Sequence, residues 1–124
     1  MLIRRNYPFL PVAKGPMSHA VIHENCLYIS GLVAMGTDAQ TEDITKQIHE
    51  VLSQLEKVLS YEGRTKSDLI KITIFIKDVD KLSIIREELF AFYDNEYPAC
   101  SLVEVSSLVH EDLKIEIEAT AAMA

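Results

Sequence analysis

The chain has 124 residues, 48% of them hydrophobic and 25% charged, with a net charge of −7. That length and balance fit one globular domain over residues 1–124, large enough to bury a core. The 12 basic residues are scattered, which argues against nucleic acid or an anionic membrane as partner, because both are bound by clustered Lys and Arg. No stretch approaches the roughly 18 apolar residues of a membrane-spanning helix, and Met1-Leu2-Ile3-Arg4-Arg5 lacks the apolar region of a signal peptide, so a cytoplasmic location is expected. Cys26 and Cys100 have no motif spacing and fit free thiols in a reducing compartment, so neither a disulfide nor a metal site is expected.

Leu2 to Tyr7 can form an edge strand, and Pro8 and Pro11 forbid helix after it. Val12 to Pro16 reads as a loop. His19–His23 and Cys26–Ser30 flank the polar pair Glu24-Asn25, which predicts a hairpin with positive φ at Asn25. On a strand, His19 and His23 stand about 13 Å apart, too far to share a metal, and read as ordinary strand residues.

Gly36 to Asp43 is a polar loop. Ile44, Ile48, Val51, Leu52, Leu55, Val58 and Leu59 then recur at helical spacing, and Gly63 ends the pattern. His49 falls off this stripe and is expected in solvent. Leu69 to Lys77 predicts a central strand with Ile70, Ile72, Ile74 and Ile76 facing the helices, and with Leu69 and Phe75 on the other side. Asp80 is the expected N-cap of a second helix carrying Leu82, Ile85, Leu89 and Phe92, which ends before Pro98. Two more strands follow, Ser101–Val105 and Leu113–Ala119. Glu104 and Glu116 lie on them as candidate catalytic carboxylates, although alternating Glu on a strand is ordinarily a solvated face.

This order predicts an α+β fold, one mixed sheet with both helices on one face. Leu69, Phe75, Tyr28 and Leu102 would leave the opposite face partly apolar, as an oligomer interface is, with a ligand cleft between subunits as a natural consequence.

Several segments, in this order and spacing, resemble the Rid family (reactive intermediate deaminases, also called the YjgF family). They are Gly15-Pro16, Tyr28-Ile29-Ser30-Gly31, Asp68 to Asp78, Pro98-Ala99, Val103-Glu104-Val105 and Lys114 to Ala119. The resemblance implies a chorismate-mutase-like fold, a homotrimer with clefts between subunits, and hydrolysis of enamines or imines such as 2-aminoacrylate to 2-keto acids and ammonia. It implies no cofactor.

In the family pattern an arginine directly after Pro-Ala holds the substrate carboxylate, the first glutamate of Ile-Glu-Ile-Glu handles water, and Ser-Gly supplies backbone contacts. Here those positions are Cys100, Glu116, and Ser30 with Gly31. The chain departs from the pattern at Cys100, at Met17 where a tyrosine is frequent, and at Leu102 where a cysteine is frequent. It also lacks a proline in Leu108 to Leu113.

Cys100 admits three readings: a small space-filler, a nucleophile with a lowered pKa, or a lost cation replaced by Arg86, which aligns with a family asparagine near the cleft. Two functions follow: an imine deaminase of altered substrate range, or a trimer that binds a small metabolite without turning it over. A ribonuclease role, attached to some relatives, fits the charge poorly.

Overall fold

The computed structural model describes residues 1–124 and contains one six-stranded sheet with two α-helices. The strands are β1 (Leu2–Arg5), β2 (Ala20–His23), β3 (Cys26–Leu32), β4 (Leu69–Ile76), β5 (Ala99–Glu104) and β6 (Ile115–Ala122). The helices are α1 (Ile44–Tyr61) and α2 (Leu82–Tyr93). The strand order is β1-β2-β3-β6-β4-β5, antiparallel except for the parallel pair β4–β5. The middle of the sheet therefore belongs to β3 and β6, and β4, expected at the centre, lies one strand from the edge.

Strand alternation builds the core. Ile72, Ile74 and Ile76 of β4, with Ile115, Ile117, Ala119 and Ala121 of β6, are buried together with the apolar stripe of α1. The expected orientation fails at one end of β4. Leu69 pairs with Ala121 and Lys71 with Thr120, so Ile70 is an extra residue in a β-bulge. Leu69 is consequently buried and Ile70 is 46% exposed, the reverse of simple alternation.

Local chemistry sets the ends of α1. Asp43 accepts from the Lys46 N–H at 3.0 Å. At the other end Gly63, with φ of +73°, lets Arg64 N–H reach Leu59 O at 2.7 Å, while Gly63 N–H reaches Ser60 O at 3.0 Å. His49 does not simply face solvent, for its Nε2 meets Glu88 of α2 and ties the helices together.

Asp80 is not the cap of α2. A short 3₁₀ turn, Val79–Lys81, precedes that helix, and Asp78 caps the turn by accepting from Asp80 N–H. The β2–β3 hairpin forms over Glu24-Asn25, with the positive φ of 55° at Glu24 rather than Asn25. His19 precedes β2 and is buried, with Nδ1 accepting from Tyr7 N–H at 2.9 Å and Nε2 bonded to Pro11 O at 3.0 Å. These two bonds fix its neutral Nε2–H tautomer.

Candidate functional site

Glu116 lies on the sheet face away from the helices, directly across from Phe75 in the β4–β6 ladder. Its other neighbour is β3, where the register slips between Ile29 and Leu32 and so makes Ser30-Gly31 irregular. A Cβ at Gly31 would stand 2.1 Å from Glu116 Oε2 and 2.8 Å from its carboxyl carbon, so any side chain there must push the carboxylate aside. The carboxylate therefore rests against the Gly31 backbone with Phe75 on its far side. Burial, and next the like charge of Glu118, raise its pKa above the usual carboxylate range. A half-buried carboxylate of raised pKa is a stronger base than a solvated one.

Backbone bonds hold the glycine side of this pair. Ser30 N–H donates to His19 O at 3.0 Å and Ser30 Oγ donates to Ser18 O at 2.7 Å. Met17, 49% exposed, adjoins that segment after a tight turn in which its N–H donates to Gly15 O at 2.9 Å. Met17, Ser30, Gly31 and Glu116 thus belong to one connected region.

Cys100, Leu102 and Arg86 lie apart from it, on the helix side of the sheet. Cys100 and Leu102 pair with Ile72 and Ile74 of β4, and Leu102 packs against the core, so both face the helix side of edge strand β5. Glu116 faces the opposite side of the sheet, with β4 between the two strands. Arg86 is exposed on α2, in a shallow groove of about 630 Å³ with Asp80, Glu87 and Phe90. One copy of the chain does not bring these two groups together.

Cys100 is poorly suited to nucleophilic attack. Burial raises its thiol pKa, opposed only in part by the Lys71 ammonium. Tyr93, buried at the end of α2, carries a hydroxyl without a hydrogen-bond partner, and burial followed by the Cys100 charge raises its pKa as well. Cys100 and Tyr93 thus form a partly apolar spot, with the Lys71 ammonium near enough to act on the thiol. Glu104, the other carboxylate candidate, is occupied structurally, accepting from Val79 N–H at 2.9 Å.

Sequence reasoning overlooked Gln47 and Gln54, which are buried in α1. Their signal was present: Ile44, Gln47, Val51, Gln54 and Val58 follow steps of three and four, so both glutamines fall within the apolar stripe. A polar residue at such a position requires partners.

Residues 10–123 match the protein family described as Endoribonuclease L-PSP. A RutC family protein of Leuconostoc mesenteroides subsp. cremoris is 30% identical over 120 residues, covering 90% of each chain. A protein of Salmonella typhimurium named 2-iminobutanoate/2-iminopropanoate deaminase is 32% identical over 116 residues, again covering 90% of each. Among solved structures, the Rid protein YyfA of Yersinia pestis superposes with a TM-score of 0.89 at 32% identity, over 98% of this chain and 99% of that one. With its own sheet order, the Gly31–Glu116 contact and near full-length similarity to these relatives, the chain belongs to the Rid (YjgF) family.

Proposed function

We propose that this protein hydrolyses a reactive imine or enamine to a carbonyl compound and ammonia, with Glu116 as the base that activates water. The observation that carries this reading is the half-buried Glu116 carboxylate of raised pKa, held against the backbone of Gly31. The named deaminase of Salmonella typhimurium supports the reaction class.

The chemistry asks little more of the protein. Glu116 takes a proton from water as the water oxygen bonds to the electrophilic imine carbon, giving a carbinolamine. Starting from the protonated imine, that proton returns to nitrogen, the C–N bond breaks with its electron pair leaving on ammonia, and Glu116 takes the hydroxyl proton as the carbonyl forms. No step uses a metal or a cofactor.

The substrate-holding end is expected to come from a second copy in a homotrimer, because Cys100, Leu102 and Arg86 lie across the sheet from Glu116 in their own chain. Met17 and Ser30-Gly31 would line the Glu116 side. A thiol cannot give the bidentate charged grip of a guanidinium. The substrate range should therefore shift away from 2-imino acids toward imines with a neutral substituent.

The second reading, a small-metabolite-binding trimer without turnover, draws on the buried Tyr93 hydroxyl that has no hydrogen-bond partner. The two are separated by measuring ammonia release from 2-aminoacrylate generated in situ and from an imine lacking a carboxylate. Turnover of the neutral imine, with 2-aminoacrylate turnover rising in Cys100→Arg, supports the enzyme. Absence of turnover with either substrate in both proteins supports the binding module.

A further inference from the structure

Apart from Tyr7 and Tyr93, the buried residues with polar side chains are His19, Gln47 and Gln54. All three hold chain segments beside the Gly31–Glu116 pair. The carbonyl of His19 accepts from Ser30 N–H at 3.0 Å. Gln54 Nε2 donates to Val33 O at 3.1 Å, two residues beyond Gly31. Gln47 Oε1 accepts from Lys114 N–H at 2.9 Å, two residues before Glu116, and Gln47 Nε2 donates to Asp112 O at 2.8 Å.

The two glutamines are seven residues apart in α1, about two turns, so they project from one face. Each meets backbone where the sheet ladder has stopped: β3 ends at Leu32, so Val33 lies just outside it, and β6 begins at Ile115, so Lys114 does too. An apolar residue at either position would suit the core but would leave part-buried backbone groups without these partners.

We propose that Gln47 and Gln54 are positioning residues, through which α1 fixes Gly31 and Glu116 relative to each other from the opposite face of the sheet. Satisfied buried polar networks specify one geometry where apolar packing tolerates several. Gln54 would set the exit of β3 and Gln47 the entry of β6, so the contact depends on both. The consequence for catalysis rests on the reading of Glu116 as a base; the positional claim does not.

The test uses Gln47→Met and Gln54→Met in the full chain, with Gln54→Asn as a milder variant that keeps an amide but draws it back. Val58→Ala, a cavity variant in the same helix, is the control for lost stability. Glu116 titration, followed by NMR of side-chain-labelled glutamate, should move toward the ordinary carboxylate range in the glutamine variants and stay in place in Val58→Ala. With an imine that the unmodified protein turns over, kcat should fall roughly ten- to a hundredfold with little change in KM, as a misplaced base does.

A glutamine variant that folds with unchanged Glu116 titration and unchanged kcat overturns the proposal. So does Val58→Ala if it shifts the titration equally, since any loss of stability would then suffice. If the titration moves only in the glutamine variants but no imine is turned over by the unmodified protein, the positioning role stands and the deaminase reading falls.

Discussion

Gly31 shows how closely a single residue can be specified by its neighbour's chemistry. Any side chain there occupies the space of the Glu116 carboxyl, with the first atom 2.1 Å from Oε2. Gly31→Ala should therefore lower kcat of imine hydrolysis at least about tenfold by displacing the base, and comparing its kcat with that of the unmodified chain checks this.

Glu116 itself carries a pH prediction. Its folded pKa lies above the ordinary value, through burial and then Glu118, so the folded state binds the proton more tightly than the unfolded state. Stability is thus favoured at low pH and falls as pH rises from the ordinary carboxylate range through the folded pKa. Glu116→Gln, which cannot ionise, should be more stable than the unmodified protein at pH 7, with the difference vanishing in acid. Denaturant titrations across that range measure it.

The glutamate was legible in the sequence as part of an alternating strand, and Gly31 entered the candidate site only through the family resemblance; the contact between the two was not legible. Alternation says which face a residue takes, whereas the slip between Ile29 and Leu32 that brings Gly31 under Glu116 depends on the pairing of distant strands.

Among the elements, α1 was the most legible because its apolar stripe, Asp43 cap and Gly63 stop agree with one another. Gly63 occupies a left-handed conformation in open space, with nothing within 4 Å of an added Cβ. Gly63→Ala should thus cost only the backbone strain, about 1 kcal/mol, read from the denaturation midpoint at unchanged m-value. β4 was less legible. Its alternating isoleucines predicted a single face throughout, and the bulge at Ile70 that breaks this was decided by pairing with β6. The Asp80 assignment failed for a local reason: a 3₁₀ turn capped by Asp78 took the residues expected to start α2.

At the scale of the whole molecule, the family assignment and sheet architecture were readable from ordered short segments, while the arrangement of the site was not. Cys100 and Glu116 are close in sequence, yet they end on opposite faces of the sheet. The face carrying Glu116 also exposes Tyr28 and Val103, at 47% and 42%. Covering that face and joining the two half-sites both call for further copies of the chain. Sedimentation at micromolar concentration should find a trimer, and Val103→Glu should shift it toward monomer; a stable monomer of the unmodified chain would contradict the shared cleft.

The central claim is that Glu116 activates water, and its most direct test is the initial rate of ammonia release from a chemically generated imine, comparing the unmodified protein with Glu116→Gln. The amide keeps the shape of the side chain but cannot take the proton, so the rate should fall by about two to four orders of magnitude. Equal rates in the two proteins would contradict it.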